Sequence, residues 1–160
     1  MNKKLFLGFA ALVAVFSTNV SAEDFTVKAS GLSFKSEHHI KKTAVLVIQP
    51  GDTVTWVNLN VGGHDTASME DYMPEGAEPW QSSGGEASLT VAFEKEGVYV
   101  YKCTPHVSQG MAAGIIVGNI DDYKDGVEIQ KLYDTESADS SAAKRVLRKL
   151  AKAIDVKIKK

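Results

Sequence analysis

The chain of 160 residues holds a single cysteine, Cys103, so it cannot close a disulfide on itself. Long apolar runs are equally scarce. The only one, Leu5 to Phe16, is twelve residues long, and crossing a bilayer as a helix takes about 20. No cysteine follows closely behind it to accept a lipid. A Ser/His/Asp set, a pair of catalytic carboxylates and a glycine-rich phosphate loop are all missing beyond chance occurrences, so no enzymatic motif presents itself. Positive charge is not in excess either: 20 acidic residues stand against 18 basic ones. That balance argues against nucleic acid as a partner.

What is present begins with an export signal. Lys3 and Lys4 form a positive start, Leu5 to Phe16 an apolar middle, and Val20-Ser21-Ala22 a small-residue cleavage site. Cleavage after Ala22 leaves a chain that starts at Glu23 and has 138 residues, enough for one domain with a core. Export also places the chain in an oxidising compartment. An unpaired cysteine there calls for a reason, as a reactive thiol or a ligand.

Cys103 opens a stretch that supplies that reason. Cys103-Thr104-Pro105-His106 and Met111 fall within nine residues. The run Val98 to Lys102 before them reads as a strand, being β-branched and aromatic behind Gly97, and Ala113 to Val117 after them reads as another. A thiol, an imidazole and a thioether on one tight connection suit copper, which favours two histidines and a cysteine with a weak axial methionine. A second histidine is then needed, from His38, His39 or His64. His64 is preferred. It follows the strand Thr53 to Asn58 directly and is flanked by Gly62 and Gly63, which can bring a ring close to a neighbouring loop. His38 and His39 lie in a polar, charged run with no clear period.

The rest of the body reads as short strands divided by turns, which argues a mostly β protein of sandwich type. Phe25 to Lys28 alternates, Ala44 to Ile48 is a continuous apolar run, and Leu89, Val91 and Phe93 alternate again. Tyr99, Tyr101 and Cys103 share one face, so the thiol enters beside two aromatic rings. Residues 66–87 hold no strand-length apolar run and read as a long ordered loop, with a helical turn near 68–72 and Trp80 plugging the core edge. Beyond Gly118 the pattern turns helical. A first helix is expected over 120–133, weakened by Gly126, and a second opens at an N-cap of Ser140 or Ser141. In the second, Ala142, Val146, Leu150 and Ile154 recur every four residues with Leu147 beside them, and Lys144, Arg145, Arg148, Lys149 and Lys152 fill the polar side. The stripe has no Trp or Phe anchor, so a helix folded back on the sandwich is favoured over one lying on a membrane. From residue 142 onward there are eight basic residues and one acid, against eight basic and nineteen acidic residues in 23–141.

Gly63-His64-Asp65, Met73-Pro74-Glu75-Gly76-Ala77-Glu78 and Cys103-Thr104-Pro105-His106 with four residues to Met111 together resemble the pseudoazurins, blue copper proteins of the cupredoxin family. The cysteine loop alone is also similar to that of plastocyanin. The resemblance implies a cupredoxin Greek-key β-sandwich over 23–118 and a pair of C-terminal α-helices within 119–160, packed on it and ending basic. It implies one copper per chain held by His64, Cys103, His106 and Met111, with Asp65 and Thr104 linking the two ligand loops. It further implies an apolar docking patch around His106, with Pro105, Val107 and Ala112 as members. The function implied is electron shuttling in the periplasm rather than catalysis, with transient redox partners such as copper or haem nitrite reductase, nitrous oxide reductase and c-type cytochromes. A copper storage or delivery protein is the alternative. Two departures stand out: Asp65 occupies a position that is commonly Asn in the family, and the lysines commonly found around the exposed histidine are reduced to Lys102.

Overall fold

A computed structural model describes residues 21–159; most of the expected signal segment 1–22, and Lys160, lie outside the described residues. The strands are β1 (Asp24–Ser30), β2 (Ser33–Lys35), β3 (Val45–Ile48), β4 (Thr53–Val57), β5 (Ala67–Ser68), β6 (Ser88–Ala92), β7 (Gly97–Lys102) and β8 (Ala112–Val117). Two helices close the chain, α1 (Val127–Asp134) and α2 (Ser140–Ala153). The strands form two four-stranded sheets, ordered β2-β1-β4-β6 and β3-β8-β7-β5. In each, one pair is parallel (β1 with β4, β3 with β8) and the others are antiparallel.

The first sheet is buried on one face only. In β4, Val54 and Trp56 are buried while Thr53, Thr55 and Val57 are half-buried, as period-2 alternation requires. Outward-facing Thr55 meets Thr90 of β6 across the strands, hydroxyl to hydroxyl at 2.8 Å. The second sheet is buried on both faces, so its strands read as unbroken apolar runs: Val98 to Tyr101 in β7 and Ala113 to Val117 in β8. Its inner residues Tyr99, Tyr101, Ile115, Leu46 and Ile48 meet Trp56, Phe34, Trp80 and Phe93 between the sheets. Its outer residues Val45, Val98, Val100 and Ile116 meet Ile129, Val146, Leu147 and Leu150 from the helices. The mostly β sandwich with two C-terminal helices is therefore found, as three layers: sheet, sheet, helices.

Trp80 plugs the core as expected, stacked on Trp56 at 5.4 Å between ring centres, with its indole N–H donated to the Thr66 hydroxyl at 3.2 Å. The basic amphipathic helix is folded back: Ala142, Val146, Leu147 and Leu150 are buried, and Arg148, Lys149 and Lys152 are exposed.

Two local expectations are corrected. The single helix over 120–133 is a 3-10 turn at Ile120–Tyr123 followed by α1, because Gly126 adopts a left-handed φ of +76° that interrupts the helical path. A Cβ there would also lie 2.6 Å from Val156, so the position has no room for a helix former. Neither Ser140 nor Ser141 is the N-cap. Asp139 precedes the helix and makes no side-chain cap, while Ser140 Oγ exchanges hydrogen bonds with Ser137. Strand β2 is only three residues long, and one inward residue, Phe34, anchors it.

Candidate metal centre

Two loops at one end of the sandwich meet here. The first leaves β4 at Asn58, which takes a left-handed φ of +61°. Buried Leu59 anchors the loop, and its carbonyl accepts the His64 N–H at 2.8 Å. Between them Gly62 and Gly63 adopt φ of +84° and +68°, which a glycine reaches without the strain a Cβ brings. A Cβ on Gly62 would sit 3.2 Å from His64 Nε2, so the glycine also lets the loop close over the ring. His64 is left only 7% exposed, with its Nδ1 turned inward.

The second loop joins β7 to β8 and is a 3-10 turn, Thr104–Gln109, with Pro105 in its first turn. Backbone bonds close it on itself. Cys103 N–H donates to the Met111 carbonyl at 3.0 Å, and Met111 N–H to the His106 carbonyl at 3.1 Å. His106 N–H donates to the Cys103 carbonyl at 3.1 Å, and Gly110, at φ +97°, donates to Val107 at 2.9 Å. The ligand hairpin therefore has a fixed shape set by its own backbone.

Three of the four candidate ligands converge in measured distances. Cys103 Sγ lies 3.2 Å from His106 Nδ1 and 3.7 Å from His64 Nδ1, and all three donor atoms fall within 4.8 Å of one another. This is the one cluster of three or more His, Cys, Asp or Glu donors identified among the described residues. Met111 is fully buried at the loop's far end, in the same core cluster as Cys103. Burial pushes the Cys103 thiol up, an effect partly relieved by hydrogen bonding to the backbone of Asp65 and His106. Burial, helped by the neighbouring His106 and opposed by Asp65, pushes His64 down, so its imidazole favours the neutral, coordinating form. A buried thiol that resists ionisation, facing two ring nitrogens, fits a soft cation that secures the thiolate. Two imidazoles, a thiolate and a nearby thioether fit copper, the cofactor, which supplies one-electron redox chemistry when bound.

Asp65 lies between the loops. Its carboxylate accepts the Thr104 backbone N–H, joining the residue after His64 to the residue after Cys103. His38 and His39 lie elsewhere: His38 is exposed and sets its ring edge against Phe25 at 5.3 Å. His39 is lowered by burial, and neither belongs to the donor cluster. Of the expected docking residues Pro105 is exposed, whereas Val107 and Ala112 are half-buried and pack against the helical cluster. Two further residues reach this end. Val61, on the His64 loop, is 62% exposed, and a lone valine before two glycines was the available signal. Arg145, from α2, lies beside Gly110; no local pattern in the sequence points to that approach.

A model of copper-binding proteins of the plastocyanin/azurin family matches residues 24–118. Among similar proteins, the pseudoazurin of Methylorubrum extorquens is 34% identical over 88 residues, 55% of this chain and 56% of its own length. The plastocyanin of Scenedesmus fuscus is 35% identical over 101 residues, covering 59% of this chain and 99% of that protein. The chain spans about half the length of the pseudoazurin sequences it matches, 56% and 47% of the first two. In three dimensions a Sinorhizobium pseudoazurin superposes with a TM-score of 0.61 at 31% identity, over 82% of this chain and 98% of that one.

Proposed function

We propose, from the premise that this chain belongs to the plastocyanin/azurin family of copper-binding proteins, that it is a periplasmic one-electron carrier of the pseudoazurin type. Its copper is bound by His64, Cys103, His106 and Met111 and cycles between Cu(I) and Cu(II). The observation that carries this reading is the convergence of one thiol and two Nδ1 atoms within 4.8 Å, from two loops that backbone hydrogen bonds already hold. Donors fixed before the metal arrives suit electron transfer, because little has to rearrange as the charge changes. The apolar run at 5–16 and the small residues Val20-Ser21-Ala22 support export and cleavage before Glu23, leaving a copper domain at 23–118 and a helical extension at 119–160.

His106 is half-buried beside exposed Pro105, and Val61 stands exposed on the neighbouring loop. This end suits brief docking with a redox protein, since such encounters bury little area. Copper or haem nitrite reductase, nitrous oxide reductase and c-type cytochromes are the proposed partners. The protein loaded with Cu(II) should be blue and reversibly reducible at an electrode, and should hold copper against a competing chelator. A colourless protein, or one that releases copper readily, would favour storage or delivery instead.

A further inference from the structure

The C-terminal helix reaches the ligand hairpin with one side chain. Arg145 of α2 is half-buried, and a Cβ built on Gly110 would lie 3.2 Å from its Nη2 and 3.3 Å from its Cζ. Gly110 sits between His106 and Met111, and its carbonyl accepts the Ala112 N–H at 2.9 Å as the chain turns into β8. The guanidinium is thus packed on the backbone of the segment that carries two of the four proposed ligands.

The other cations at this end are neutralised. Lys102 is paired with Asp139, and Lys144 with Glu136. The groove between the hairpin and α2 is lined by Val107, Asp139 and Arg145 among others, but the Asp139 carboxylate is the one that Lys102 already engages. None of the ion pairs found among the described residues includes Arg145. Its charge is permanent, because a guanidinium does not deprotonate in a protein. A half-buried charge is also screened less by salt than one in open solvent.

We propose that Arg145 is a positioning and tuning residue of the copper centre. It braces the ligand hairpin at Gly110, and its fixed positive charge favours Cu(I), raising the reduction potential. The inference rests on the copper reading of the site. Reduction adds one electron and lowers the charge of the centre by one, so a nearby cation stabilises the reduced state relative to the oxidised. The same packing gives Gly110 a second reason to be glycine beyond its left-handed φ. It also gives the helical extension a part in setting the potential.

The test compares the copper-loaded full chain with Arg145→Gln, Arg145→Met and Arg145→Lys. All should keep the visible thiolate-to-copper band, because Arg145 is not a ligand; a wild-type protein without that band would sink the copper reading instead. By voltammetry, the two neutral variants should lower the midpoint potential enough to change the Cu(I) to Cu(II) ratio about threefold, ~28 mV at 59 mV per tenfold. Arg145→Lys should keep most of the wild-type value. The apo-protein melting temperature separates bracing from charge: the bracing role requires all three variants to melt below wild type, while only the neutral pair shifts the potential. Neutral variants with an unchanged potential, or a lysine variant that falls as far as they do, would overturn the tuning role. Failure of both neutral variants to fold, with Arg145→Lys folded, would assign Arg145 to stability alone and overturn it as well.

Discussion

Replacing Asp65 by Asn and by Ala separates a link from a charge. Asp65 follows His64, and its carboxylate accepts the backbone N–H of Thr104, the residue after Cys103. One residue therefore ties both ligand loops together. A hydrogen bond to a charged acceptor contributes about 1.5–3 kcal/mol and a neutral one about 0.5–1.5. Asp65→Asn keeps an acceptor, so it should cost the apo protein roughly 1 kcal/mol, and Asp65→Ala roughly twice that. The charge acts separately. As a generic scale, a unit charge on the order of 8 Å away through an effective dielectric near 20 is worth about 2 kcal/mol, here in the direction of Cu(II). Asp65 is only half-buried, and solvent should reduce that to about 1 kcal/mol. Since about 1.4 kcal/mol is tenfold, and tenfold is 59 mV for one electron, Asp65→Asn should raise the potential by roughly 40 mV. Urea unfolding of the apo proteins and voltammetry of the copper-loaded ones measure the two effects. An Asn variant with an unchanged or lower potential would reject the carboxylate as a tuning charge. An Ala variant as stable as wild type would reject the link.

Cys103→Ser should abolish the intense visible band of the Cu(II) protein, because a hydroxyl cannot supply thiolate-to-copper charge transfer. His64→Ala should disturb that spectrum strongly, while His38→Ala and His39→Ala leave it unchanged, since both rings lie outside the donor cluster. Leu147→Ala, at a fully buried position between α2 and the second sheet, should cost about 2–5 kcal/mol in denaturant unfolding with little effect on the visible band. Alkali should destabilise the apo protein. Burial pushes the Tyr99 phenol up to about 12, so across pH ~10–12 the unfolded chain holds fewer protons and stability falls as pH rises; Tyr99→Phe should flatten that fall.

Where the sequence spoke plainly, the physical reason is separation along the chain. Cys103, His106 and Met111 lie on one connection of nine residues, and so short a loop between paired strands keeps its side chains together whatever the remainder does. His64 is harder. It comes from β4 in the other sheet, and nothing local to Gly62-Gly63-His64 says which loop it will face. The preference for it rested on a flanking strand and on resemblance. Alternating strands such as β4 were legible because one of their faces is wet, while β2, three residues with one inward side chain, is too short to show a period. Residues 120–133 carry helix-compatible side chains, and only the left-handed backbone at Gly126, pressed against Val156, divides them. The approach of Arg145 to Gly110 is tertiary altogether, a consequence of α2 running along β8.

The layering explains how a mobile-looking hairpin becomes a stiff ligand frame. One histidine comes from the sheet containing β4; the cysteine, the second histidine and the methionine come from the sheet containing β7 and β8. A metal at their meeting point therefore ties the two sheets at one end, and part of its binding free energy appears as stability of the whole fold. For electron transfer the frame has to keep its shape while the charge changes. Aromatic packing of Trp56 against Tyr101 at 5.2 Å supports the inner face of β7, two residues before Cys103. Helix α2 covers the outer face through Val146 and Leu147. A strand packed on both sides has few ways to yield, because protein interiors are close to crystal density. The donors on the connection between β7 and β8 are then held by burial and backbone bonds rather than by the metal. Under the proposed copper reading, such a frame would impose one geometry on both oxidation states and leave the balance between them to charges close by, with Asp65 expected to favour Cu(II) and Arg145 proposed to favour Cu(I).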